Sequence, residues 1–372
     1  MTNDVKRVKD IIEHTKDIAF VVGNGVNRYN GACSWEELLK QLWLDFTGKS
    51  CPKDVFNGVS NTEFYDLIDL KILKEARLLD INQKKKLIHL ATIPDSHKNW
   101  TIFDFMSKWE RLRDEKLKEF SLSMNGVQPS DLSLINSIGT NTYRNLWQSD
   151  IQEKVVEYLR DWNPSSQHYM IGRKIASLRA PLLTTNYDEN FNRALNCRFY
   201  RLGRTNFSKI NPFSGYWGQH VISNPLDDFG IWHINGLIKY PNSIKLGLSQ
   251  YMTSVEKVRA LIHGKSSDVE SFTGKNQGVR WRGYNTWLHA FFNKSLFIFG
   301  LALNKDEVFL RWLLFERIKY FTLFSKSFKG WYITTKRDYQ NMSLGQKMFF
   351  QDVGIEVIPL DSYKQICNDI WE

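Results

Sequence analysis

Cysteine is scarce in this sequence. Cys33, Cys51, Cys197 and Cys367 are the only four, and no two form a Cys-x-x-Cys pair. A zinc knuckle or ribbon built on paired cysteines is therefore excluded. No run approaches the ~18 continuous apolar residues of a membrane-spanning helix. The opening stretch, Met1 to Asp10, is polar and charged and lacks the apolar segment of a secretory signal. Internal repeats and low-complexity tracts are lacking too. These absences set the expectation of a cytoplasmic chain with free thiols and no membrane association.

What is abundant is aromatic surface and positive charge. Among 372 residues, 14% are aromatic, including 13 Trp and 24 Phe, enough for a sizeable core with some left for interfaces. The formal net charge is +10, which attracts anions, nucleic acid among them. Lys84, Lys85 and Lys86 form one conspicuous basic triplet, in a polar helical region. No recognition motif accompanies the charge, so direct nucleic-acid binding is not favoured.

Six short apolar runs have the look of buried strands: Ile18–Val22, Leu182–Thr185, Ile231–Ile234, Leu296–Gly300, Trp331–Thr334 and Ile355–Leu360. Continuous runs, as opposed to alternating ones, suit a parallel sheet covered on both faces. Helical patterns lie between them, at Trp35–Phe46, Glu189–Leu195 and Asp306–Phe321. The alternation predicts a Rossmann-like, doubly wound α/β fold. From about Phe46 to Ser165 no strand pattern occurs. Glu63–Leu79, Ile102–Ser121 and Leu146–Trp162 carry apolar residues at helical spacing, with a break at Met124–Ser130. The expected organisation is an α/β domain over 1–45 and 165–372, with a large helical insertion over 46–164. A Ser- and Gly-rich stretch, Gly264–Gly278, is expected to be a surface loop.

Four strand ends carry chemistry. The run Ile18–Val22 enters Gly23-Asn24-Gly25-Val26-Asn27-Arg28. Glycines there allow a tight turn and close approach to a pyrophosphate, although a purely structural strand-to-helix turn explains them equally. Arg28 stands where a dinucleotide fingerprint has its third glycine. Ser34 and Glu37 form a capping-box signature for the next helix. The second strand end is Thr184-Thr185-Asn186-Tyr187-Asp188, placed to face the same crevice, with Asp188 also a candidate helix cap. The third is His233, before Ile-Asn-Gly236; the fourth is Gly300-Leu301-Ala302-Leu303-Asn304.

In this order the motifs resemble the sirtuin family, and more closely the sirtuin-like domains of bacterial anti-phage defence proteins. Thr184–Asp188 matches the sirtuin Gln-Asn-Ile-Asp segment, Gly23–Gly25 the Gly-Ala-Gly loop, and His233 the catalytic histidine. The resemblance covers roughly residues 12–40 and 165–360. It implies an NAD hydrolase, with NAD as substrate and no zinc, since the four-cysteine module of the deacylases is missing. His233-Ile-Asn-Gly236 departs from the family's immediate His-Gly, and His220 is the fallback. The resemblance implies that Asn186 positions ribose and water, His233 acts as general base and Asp188 orients its neighbours. The backbone of Gly23, Asn24, Gly25 and Val26 would cradle phosphates, with Thr185 lining the site. Asn27 and Arg28 would shape the loop over the nicotinamide ribose, and Gly300, Leu301 and Asn304 would approach the adenosine. It also implies homo-oligomers and a second defence component, such as a HerA-type translocase ATPase or an Argonaute-like protein. Two alternatives stay open: NAD-dependent protein deacylation, and a non-catalytic NAD- or ADP-ribose-binding module.

Overall fold

The computed structural model describes residues 2–29, 31, 34–91, 129–203, 206–264, 281–304 and 307–372. The chain divides into two compact units. The first comprises Met1–Leu38, Ser60–Thr62 and Tyr158–Glu372; the second comprises Leu39–Val59 and Glu63–Glu157.

The first unit is an α/β domain on an eight-stranded sheet. The strands are β1 (Ile18–Val22), β2 (Leu182–Thr184), β3 (Arg198–Arg201), β4 (Gly215–Gly218), β5 (Ile231–His233), β6 (Ser295–Phe299), β7 (Gly330–Thr335) and β8 (Glu356–Leu360). Their order across the sheet is β3-β4-β5-β2-β1-β6-β7-β8. β5, β2, β1, β6, β7 and β8 run parallel, as the six apolar runs predict. Two strands were not foreseen: β3 and β4 form an antiparallel hairpin, with Phe199 opposite Trp217, at one edge. The sheet is therefore mostly, not wholly, parallel.

Burial on both faces explains the continuous apolar runs. Along β1, Ile18, Phe20 and Val22 enter one core while Ala19 and Val21 enter the other. The first core is covered by the helices Asn3–His14 and Ser166–Ser177 through Val5, Val8, Ile12, Ile171 and Ile175. The second is covered by the helices Trp287–Asn293 and Val308–Phe324, with Trp287, Phe291, Phe309 and Leu313 all buried. Burying such large side chains contributes roughly 1.5–3 kcal/mol each, before entropy is counted. Most of the aromatic-rich stretches at Trp281–Phe292 and Phe309–Phe324 thus serve the core, while Phe315 and Leu323 remain exposed. The Asn3–His14 helix was hidden by its polar outer face.

The second unit is helical, as expected for the insertion. Its helices include Asn61–Leu78, Ile81–Ala91 and most of Pro129–Arg160. Phe64, Ile68, Ile72, Tyr143, Ile151 and Val155 are buried within it. Asp69 accepts a bidentate pair from Arg144 and a further bond from Gln148 at 2.9 Å. Lys84 is not part of a solvated basic face: it is buried and donates to Asn136 and to the Arg77 carbonyl. The expected helix Ile102–Ser121 lies outside the described residues, as do 124–128 and 265–278. Pro129 and Ser130 open the long helix instead of belonging to a break. Among the described residues, no helix is long and apolar enough to cross a membrane.

Candidate functional site

The strand order reverses between β1 and β6. β2 and β5 lie on one side of β1; the chain then crosses to the other side, where β6, β7 and β8 lie. Open α/β sheets bind ligands beyond the carboxyl ends of their strands at such a point. Every candidate residue comes from a strand end here or from the short helix Gly25–Tyr29.

The glycine turn packs against the turn that follows β6. The Gly23 N–H donates to Phe299 O at 3.2 Å, and the Gly25 N–H to Gly300 O at 2.6 Å. A Cβ on Gly23 would stand 2.4 Å from Leu301 Cβ and 2.8 Å from Gly300 O. One on Gly25 would stand 2.7 Å from Gly300 O and 2.8 Å from Gly300 Cα. Gly300 itself has φ +68°, a left-handed backbone that suits glycine. These glycines let the β1 turn press against the β6 turn. The Gly23 and Gly25 N–H groups are thus bonded to Phe299, the last residue of β6, and to Gly300, the first residue after it. Val26 has its side chain in the core beneath β1.

Beyond β2, Thr185 bonds its N–H to Val22 O at 3.0 Å, and Asn186 Nδ2 donates to Gly23 O at 3.2 Å. The loop thereby grips the glycine turn from the side opposite β6. Asn27 sits at the centre of a buried polar network. Its Nδ2 donates to Asp188 Oδ2 at 2.8 Å and Asn24 Oδ1 at 2.9 Å. Its Oδ1 accepts from His168 Nε2 at 2.9 Å and Asn190 Nδ2 at 3.0 Å. The Asn190 N–H donates to Asp188 Oδ1 at 3.0 Å. Asp188 thus joins the site one residue ahead of the N-cap of the short helix Asn190–Ala194, which is Glu189. Burial raises the Asp188 pKa above the ordinary carboxylate value, opposed by the Asn190 and Asn27 hydrogen bonds.

The sequence reading missed His168. It stands at the third position of the helix Ser166–Ser177, where its Nδ1 accepts from the Ser165 N–H at 3.1 Å. That bond fixes the tautomer: Nδ1 is bare and Nε2 carries the proton given to Asn27. Burial lowers the His168 pKa to about 4, so the ring is neutral at pH 7. The available signal was Ser165-x-x-His168, a capping-box spacing with histidine in the usual Glu or Gln place.

His233 ends β5, and it is 6% exposed. Its Nδ1 lies 2.8 Å from Asn186 O, a carbonyl that can only accept, so Nδ1 carries the proton. Nε2 is the bare nitrogen, and it accepts from Asn192 Nδ2 at 3.3 Å. Burial lowers this pKa to about 4 as well. Asn192 was not anticipated. The fallback, His220, is a surface residue, 61% exposed in its side chain, and pairs with Asp228 at 3.1 Å. It is remote in role from the cluster.

Around His233 and Asp188, three buried side-chain oxygens lack a hydrogen-bond partner among the described residues: Asn186 Oδ1, Asn190 Oδ1 and Asn192 Oδ1. Those residues are 2%, 2% and 3% exposed. Each amide spends its NH₂ on a neighbour and leaves its carbonyl bare. A buried acceptor without a partner costs about 1–3 kcal/mol, so three together call for donors from outside the chain.

The remaining candidates line a cavity of about 320 Å³ beyond the ends of β6 and β7. Arg28, Gly300, Leu301 and Asn304 are there, joined by the unforeseen Thr334, Asp338, Asn341, Gln346 and Tyr363. Tyr332 Oη donates to Leu301 O at 2.9 Å and Ala302 O at 3.0 Å, which holds the β6 turn in place. The volume falls at the lower end of small-molecule sites, and the lining mixes aromatic faces with amides, one cation, Arg28, and one carboxylate, Asp338. The candidates thus form two groups, a buried Asn–His–Asp cluster and an open cavity, with the Gly23–Gly25 turn between them.

Among the described residues, no group of three or more His, Cys, Asp or Glu is placed to hold a metal ion. Burial pushes the Cys197 and Cys367 thiols up to about 12, which leaves neither a ready nucleophile. Compared with known proteins, the chain matches no family model and no curated protein.

Proposed function

We propose that the chain is an NAD hydrolase, cleaving NAD to nicotinamide and ADP-ribose. The observation that carries this reading is the trio of bare carbonyl oxygens on Asn186, Asn190 and Asn192 beside neutral His233. Ribose hydroxyls and a carboxamide NH₂ are donors of the kind these acceptors lack. The nearby cavity of about 320 Å³ would take the adenosine half, with the Arg28 side chain near the diphosphate.

In the reaction, the bond from nicotinamide nitrogen to C1′ breaks and its electron pair leaves with nicotinamide. An oxocarbenium-like centre forms and water adds to it, losing a proton. The leaving group is cationic beforehand, so no strong acid is required. Asn186 holds ribose and water. His233, bare at Nε2 once Asn192 turns to the ligand, accepts a hydrogen bond from a ribose hydroxyl or from the water. Asp188, fixed by Asn27 and the Asn190 N–H, sets the floor of the cluster.

The test is free nicotinamide release from NAD by purified protein. Asn186→Ala and His233→Ala should each abolish release while leaving the circular dichroism spectrum intact; full activity in both would overturn the assignment. One observation favours a second reading, NAD binding without turnover: both ring nitrogens of His233 are already engaged. Saturable NAD binding with no nicotinamide release would select it. We further propose a role in anti-phage defence by NAD depletion, in a cytoplasmic homo-oligomer with a translocase-type partner. These rest on the family resemblance. Light scattering tests the oligomer, and co-purification tests the partner.

A further inference from the structure

We infer that the aromatic face of the β3–β4 hairpin is a binding surface for single-stranded nucleic acid. It rests on no residue of the NAD site. Phe199, Phe207 and Tyr240 belong to neither hydrophobic core, and Trp217 only packs against the edge of one. Phe199 and Trp217 are directly opposed across the hairpin, so they share a face. Phe199 is the hub of the cluster. Its ring centroid lies 5.4 Å from Trp217, 5.6 Å from Tyr240 and 6.3 Å from Phe207. All four residues are half-buried.

Cations overlie these rings. The Arg201 guanidinium sits 3.8 Å from the Phe207 centroid. Lys239 Nζ lies 5.5 Å from Phe199, 5.7 Å from Trp217 and 6.0 Å from Tyr240. Both side chains are exposed. Glu189, half-buried, is the carboxylate that feels Lys239. Charged residues on an edge strand commonly only discourage strand pairing. That role does not require four aromatic rings beneath them. Rings supply π-faces for unpaired bases and the cations meet phosphates, a combination that tracks a single strand. Duplex bases are already stacked on one another, and an acidic peptide has charge without bases to stack.

The experiment is fluorescence anisotropy with labelled oligo(dT) of about 16 nucleotides, the upper range for one such platform. Wild-type protein should bind it in a salt-dependent manner, and bind a duplex of equal length more weakly. Phe207→Ala should weaken binding roughly 5- to 150-fold. Lys239→Glu and Arg201→Glu change exposed side chains, so the fold should persist, and each should flatten the log–log salt slope by about 0.7 or more. No binding at low salt would overturn the inference. So would equal affinity in all three variants. Full competition by polyglutamate, with Phe207→Ala binding like wild type, would also overturn it and mark a protein-docking surface instead.

Discussion

Substituting Gly25 by Ala tests the docking of the β1 turn on the β6 turn. The new methyl would stand 2.7 Å from Gly300 O and 2.8 Å from Gly300 Cα. Both obstacles are backbone, and the Gly300 position is held by Tyr332 through its two bonds to Leu301 and Ala302. Neither atom can swing aside as a side chain would. Forcing one methyl into packed surroundings costs about 1–3 kcal/mol. Separating the turns also lengthens the 2.6 Å bond from the Gly25 N–H to Gly300 O, at a further cost of about 1 kcal/mol. The sum is roughly 2–4 kcal/mol, or about 4–16 °C in Tm at about 2–4 °C per kcal/mol for a domain of this size. Gly345→Ala is the matched control. That glycine lies in the helix Leu344–Asp352 with nothing within 4 Å of its Cβ position. It should stabilise by about 0.5–1 kcal/mol through helix propensity. Thermal melts of the three proteins decide the matter. A Gly25→Ala protein that melts like wild type would refute the docking argument. If it also lost NAD binding, the glycine would be serving a phosphate after all.

Further predictions concern pH and the helical unit. His168, His233 and His289 are each lowered to about 4 by burial, below the usual 6.5. The unfolded chain therefore binds more protons between those values, and stability should fall as pH drops from about 6.5 toward 4. Each ring contributes on the order of 1–2 kcal/mol by pH 5, seen as a falling urea midpoint. Asp188, raised by burial, works in the opposite sense. A midpoint that is flat from pH 7 to 5 would refute the neutral-histidine assignment. In the second unit, Asp69→Asn removes the charge that meets Arg144 and Gln148. It should destabilise by roughly 2 kcal/mol, less than a fully buried pair because Arg144 keeps 32% side-chain exposure. Unchanged denaturant stability would mean the pair is idle.

Much of the parallel sheet was legible because both of its faces are covered. A strand such as β1, buried at all five positions, has no polar residue to interrupt it. The β3–β4 hairpin was not legible. Arg198-Phe-Tyr-Arg201 is a short edge strand with charged ends, and Gly215-Tyr-Trp-Gly218 is bounded by glycines. Neither presents a run or a sustained alternation. The site was legible where a motif sits at a strand end, as with Asn186 and His233. His168 and Asn192 escaped because they reach their partners Asn27 and His233 across 141 and 41 residues of sequence. The glycines were legible as a turn, but the backbone they pack against was not. What fills the space beside a missing Cβ is a tertiary fact, and Gly300 is 275 residues further along the chain than Gly25.

The Gly23–Gly25 turn is a shared wall. Asn186 grips it from one side and Gly300 from the other. Loosening the asparagine cluster should therefore tug on the cavity lining, and a fragment seated in the cavity should stiffen the cluster. Two separate fragments, a nicotinamide riboside at the cluster and an adenosine in the cavity, would feel each other through three residues of backbone. Such a partition makes binding of the halves cooperative: either fragment alone should be held more weakly than its contacts suggest, and each should tighten the other by the same factor.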